Sequence, residues 1–74
     1  MKAAKLQALL ETKLGYSVSA QRGSHKKLVS SAGYPQLTFA FHDGAEVPPG
    51  LIRKILTKDV GISLDAAAKL LGLG

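Results

Sequence analysis

His25 and His42 are the only imidazoles in this 74-residue chain, and imidazole is the side chain whose ordinary charge change falls closest to neutral pH. Either ring can therefore accept or donate a proton in acid–base chemistry. The neighbours of His25 give that ability a direction. Arg22, Ser24, Lys26 and Lys27 surround it in the sequence and are side chains able to hold an anionic phosphate. RNA suits such a set because it carries its own nucleophile. A base removes the 2′-hydroxyl proton, the oxygen attacks the adjacent phosphorus, and an acid protonates the departing 5′-oxygen. Acid or base help from one side chain contributes roughly a hundred- to ten-thousand-fold, so one histidine can support a slow ribonuclease. The opposing reading is that both rings are solvated strand-surface side chains, with Lys26 and Lys27 blunting an exposed edge.

Other chemistries are excluded or disfavoured. There is no cysteine, which removes a thiol nucleophile, a disulfide framework and a zinc finger. Two histidines, with Asp43 and Glu46 the only acids nearby, fall short of the ligand set of a zinc site. No metal and no other cofactor are expected.

The elements that must position these residues emerge from periodicity. Ala3, Leu6, Leu10 and Leu14, with Leu9 beside them, recur at helical steps and predict a helix over 2–14, ended by Gly15. From Tyr16 the period becomes two: Tyr16, Val18 and Ala20 alternate with Ser17, Ser19 and Gln21, which predicts a strand with one buried face. Arg22-Gly23-Ser24 reads as a turn and His25 to Ser30 as a second strand, which cannot continue through Pro35. Leu37, Phe39 and Phe41 alternate with Gln36, Thr38, Ala40 and His42 to give a third strand, closed by Asp43-Gly44. A helix begins at Pro48-Pro49, buries Ile52, Ile55, Leu56 and Val60, and ends at Gly61; Ser63 caps a short last helix, 64–71, whose weak apolar face is Leu64, Ala67 and Leu71. The fold class is α+β, α-β-β-β-α with a short extra C-terminal helix and the helices on one face of the sheet.

Strand alternation also assigns faces. With Leu28 facing the core beside Leu37, Phe39 and Phe41, the side chains of His25, Lys27, Thr38 and His42 belong to the open face. A register that pairs Leu28 with Phe39 sets His25 opposite His42, which makes His42 a candidate second acid or base. Lys26 falls on the core side and is expected at the sheet margin, its ammonium reaching water.

At the scale of the chain, 74 residues with ten Lys and Arg against five Asp and Glu give a net charge of +5. That is one domain, 1–74, with a thin core and a field that favours nucleic acid or an acidic protein. Lys5, Gln7, Glu11 and Lys13 interrupt any N-terminal apolar run and no membrane span is visible, so a cytoplasmic location is expected.

The run Arg22-Gly23-Ser24-His25 resembles the Arg-x-Gly-Ser-His type of signature of HicA toxins, the RNA-cleaving members of HicA–HicB toxin–antitoxin pairs. Further landmarks come in order over roughly residues 3–66: Gly15-Tyr16 after the first helix, His42, Pro48-Pro49-Gly50-Leu51-Ile52-Arg53-Lys54-Ile55-Leu56, and Gly61-Ile62-Ser63. The chain departs from the family's usual pattern at Lys26-Lys27, directly after the histidine, and at Ala40, where a proline is common. The resemblance implies a fold like the double-stranded-RNA-binding domain and an mRNA endoribonuclease with His25 as its catalytic residue. It also implies a HicB-like antitoxin that covers the His25 face. A non-catalytic RNA-binding module and a small protein-interaction domain are the alternatives.

Overall fold

The computed structural model describes residues 1–72. Helix α1 (Ala3–Leu14) leads into an antiparallel sheet of β1 (Tyr16–Arg22), β2 (His25–Ser30) and β3 (Leu37–Phe39), in that spatial order. Then come α2 (Pro49–Lys54), a π-helical continuation (Ile55–Val60) and α3 (Leu64–Leu70). This is the α+β arrangement expected, α-β-β-β-α with an added terminal helix, as in double-stranded-RNA-binding domains. No helix among the described residues is long and apolar enough to cross a membrane.

Helix α1 buries Ala3, Leu6, Leu10 and Leu14 along one stripe. It has no side-chain cap. Instead the loop after β3 satisfies its first backbone donors: Ala3 N–H donates to the Ala45 carbonyl (2.8 Å) and Ala4 N–H to the Asp43 carbonyl (3.1 Å). Val47 N–H returns a bond to the Met1 carbonyl (2.8 Å), and the Val47 side chain is fully buried. Gly15 ends the helix at φ 72°, and a Cβ there would meet Ser31 Oγ at 2.9 Å. That close approach is used, since Ser31 N–H donates to the Gly15 carbonyl and the Ser30 hydroxyl to the Leu14 carbonyl.

Three sheet expectations are corrected. First, β1 buries only Tyr16: Val18 keeps the face of Leu28 but is left 39% exposed on the edge strand, and Ala20 is turned to the open face by a bulge at Ser19. Second, β3 spans Leu37–Phe39 rather than 36–42. After Phe39 the chain is drawn toward α1 by the Asp43 and Ala45 carbonyls, and Phe41 packs edge-on against Phe39 with ring centroids 5.1 Å apart. Third, Leu28 pairs with Leu37 and Lys26 with Phe39. The parity is as expected, with Leu28, Leu37 and Phe39 on the buried face, but the register is displaced by two residues. The β2–β3 loop that sets it is pinned by the Tyr16 hydroxyl, which donates to the Pro35 carbonyl at 2.6 Å while its ring stacks on Tyr34. Burial and the neighbouring Tyr34 raise the Tyr16 pKa, which keeps the phenol a neutral donor.

The second helix buries Ile52, Ile55, Leu56 and Val60, as the apolar stripe requires. Its last turn widens: Gly61 N–H donates to the Leu56 carbonyl, five residues back. Ser63 caps α3 by accepting from Ala66 N–H at 3.0 Å, and Ala67 is its one buried residue. The core therefore lies between α1, the helix pair and one sheet face, with Leu6, Leu10, Leu28, Phe39, Val47 and Leu56 at its centre.

Candidate active site

His25 owes its position to a two-residue turn. Gly23 has φ 61° and, among the described residues, no non-glycine residue has positive φ, the pattern of a type II′ turn with glycine first. Such a tight loop makes Arg22 and His25 direct cross-strand partners. The bulge at Ser19 completes the arrangement. Before it Val18 pairs with Leu28, and after it Ala20 pairs with Lys27 and Gln21 with Lys26. The extra residue shifts the parity of the distal half of β1, so that Ala20 and Arg22 join the face of His25 and Lys27. Thr38 faces Lys27 from β3.

The result is a shallow groove of about 320 Å³ on the open face, lined by Ala20, Arg22, His25, Lys27 and Thr38, with Gln21 and Lys26 completing its wall. His25, Arg22 and Lys27 are exposed, and none of them has an ion-pair or side-chain hydrogen-bond partner among the described residues. Ala20 provides the space, because its methyl group is the smallest side chain in the row Ala20–Lys27–Thr38. The arrangement can seat a phosphodiester between two cations, with an imidazole beside it.

Lys26 is not part of that grip, contrary to its expected role. The residue is 8% exposed, and its ammonium is taken up by protein partners, one of them the exposed Asp43 carboxylate. It donates to Gln7 Oε1 at 2.8 Å and to Asp43 Oδ1 at 2.9 Å, on the helix side of the sheet. Burying a lysine is tolerable only when the charge is paired and hydrogen-bonded, and this network does both. It also ties α1, β2 and the loop after β3 together at one point.

His42 is not brought opposite His25. Because β3 stops at Phe39, which pairs with Lys26, no β3 residue faces His25. His42 is exposed at the start of the Asp43-Gly44 turn, where its carbonyl accepts from Ala45 N–H (2.9 Å), and it does not line the groove. Ser24 occupies the second turn position, makes no side-chain hydrogen bond among the described residues and is likewise outside the groove. Ala20 and Thr38 are groove residues that the sequence alone does not nominate. Alternation puts Thr38 on the open face, whereas Ala20 carries no signal, since the bulge that turns it outward is not encoded by any single residue type. Among the described residues, no three His, Asp or Glu side chains gather as a metal site would need.

The site is thus a basic groove with one histidine, on a sheet backed by helices. The family model described as "HicA toxin of bacterial toxin-antitoxin" matches residues 3–62, most of the chain. The chain belongs to the HicA toxin family, and is a toxin of a toxin–antitoxin system with an antitoxin as its partner. No curated protein sequence and no solved structure matches it.

Proposed function

We propose that this toxin is a metal-independent endoribonuclease that cleaves mRNA in the cytoplasm, the 74 residues acting as one unit with His25 as its catalytic group. The observation that carries the reading is the groove in which His25, exposed and without a side-chain partner, stands directly across from Arg22 and beside Lys27. In this mechanism the Arg22 guanidinium grips the scissile phosphate, in the two-pronged manner its geometry favours. Lys27 offsets the extra negative charge of the five-coordinate phosphorus. The His25 ring takes the proton from the 2′-hydroxyl, whose oxygen bonds to phosphorus. The bond from phosphorus to the 5′-oxygen breaks, and that oxygen takes a proton from water. One strand is left with a 2′,3′-cyclic phosphate and the other with a 5′-hydroxyl. Lys26 and Ser24 have no part in this scheme, and His42 is not required by it.

The partner is a HicB-like antitoxin that covers the His25 face and presents Asp or Glu to Arg22 and Lys27. Covering the groove is the simplest inhibition, because it removes the substrate's seat and the catalytic ring together.

End-group analysis of RNA treated with the purified toxin tests the mechanism. Cyclic phosphate and 5′-hydroxyl termini are expected, formed at an unchanged rate in EDTA. A 5′-phosphate product, or cleavage that stops when magnesium is removed, contradicts it. RNA that is bound without being shortened favours the non-catalytic RNA-binding module instead.

A further inference from the structure

Thr38 forms one wall of the His25 groove. On the other side of that residue lies a second depression, of about 470 Å³, along the free edge of β3. Its lining includes Gln36, Thr38, Ile55, Lys58 and Asp59, so Thr38 is shared by both grooves. Ile55 and Lys58 come from the π-helical turn, one turn apart, and face the strand from the helix side. Lys58 is exposed and, among the described residues, has no ion-pair partner.

We propose that the β3-edge groove is a second nucleotide subsite, with the RNA chain running from the His25 groove over Thr38 and placing a neighbouring phosphate on Lys58. The inference rests on the ribonuclease reading above and extends it. Several observations point the same way. The two grooves adjoin at Thr38, which lines both, so a chain passing over that residue meets them in turn. Among the described residues the β3 edge has no strand beside it, so its backbone and the Gln36 and Thr38 side chains are free to hydrogen-bond a base. Ile55, itself only 8% exposed, forms part of the groove's floor. Lys58 supplies the charge that a backbone phosphate needs. The Asp59 carboxylate also lines this groove and repels a phosphate placed beside it. It thereby confines the phosphate to the Lys58 side and leaves a base amino group as the natural occupant next to Asp59.

The test is Lys58→Glu, with Lys13→Glu as the control that makes the same charge reversal at the exposed end of α1, away from both grooves. Binding of a labelled oligoribonucleotide of about twelve residues is measured by fluorescence anisotropy across a salt series, in the His25→Ala background so that no RNA is consumed. Lys58→Glu is expected to weaken binding about tenfold and to lower the slope of log affinity against log salt by about 0.7, one single-strand phosphate contact. Lys13→Glu should leave the slope unchanged. Equal effects of the two substitutions, or wild-type affinity in Lys58→Glu, overturn the subsite. A Lys58→Glu defect in antitoxin binding alone also overturns it and assigns the groove to the protein partner. Cleavage that depends on His25 but is indifferent to Lys58 removes this subsite and leaves the ribonuclease standing. RNA binding that depends on Lys58 without any cleavage by the wild type does the reverse. Absence of RNA binding sinks both.

Discussion

The proposed proton-transferring group is a single imidazole, and its surroundings decide whether it can work. Arg22 across the strand pair and Lys27 on the same face are both unpaired by carboxylates among the described residues, so neither must break an existing contact to meet a phosphate. Ala20 sets the depth of the groove. Replacing it with leucine fills the space from an exposed position, and stability should stay within about 0.5 kcal/mol of wild type. Cleavage should fall by about tenfold or more, since small displacements of a reacting group carry large rate losses. Thermal unfolding alongside a cleavage assay checks both halves. Strand alternation is a local signal and places His25 and Lys27 on the open face, whereas Arg22 reaches that face only through the bulge at Ser19 and stands out in the sequence by its charge beside His25. The partners of Lys26 were not legible. Gln7 and Asp43 lie 19 and 17 residues away, and nothing local distinguishes a lysine that snorkels to water from one held by partners distant in the sequence.

Among the elements, the β1–β2 hairpin carries the site and the rest of the sheet carries the hairpin. Its tight turn needs a left-handed residue at Gly23, where φ is 61° and no atom crowds the place of a Cβ. The cost of a side chain there is therefore purely conformational. Gly23→Val should destabilise the protein by about 1–2 kcal/mol, and cleavage should suffer more than stability because the Arg22–His25 pairing depends on that turn. Urea denaturation and cleavage rates measured on the same preparation check this. Undiminished cleavage would show that the pairing is not needed. The order of the elements was readable from the change of period along the chain, from helical to alternating and back. The length of β3 was not, because Gln36–His42 keeps alternating while the chain has already left the sheet to cap α1. The bulge at Ser19 and the π-helical turn were hidden for a related reason. Each inserts one residue into a regular pattern, and the sequence on either side stays regular.

For the molecule as a whole, smallness sets the terms. The Cα radius of gyration, 11.4 Å, is that of a compact chain of this length, for which about 11 Å is expected. A core so limited leaves a stability of about 3–5 kcal/mol. Leu10 is fully buried, and Leu10→Ala should cost about 2–5 kcal/mol, enough to unfold much of the population at room temperature. Circular dichroism with urea titration would detect it, and a fully folded variant would mean that the core is more robust than its size implies. The net charge of +5 adds self-repulsion, which an acidic antitoxin face would relieve on binding.

The most direct measurement is RNA cleavage by His25→Ala beside the wild type, with both proteins purified free of antitoxin and assayed in EDTA. Because the ring is exposed and unbonded, the variant should keep the wild-type circular dichroism and melting temperature while its cleavage disappears. A folded His25→Ala protein that still cuts RNA at the wild-type rate would contradict the account.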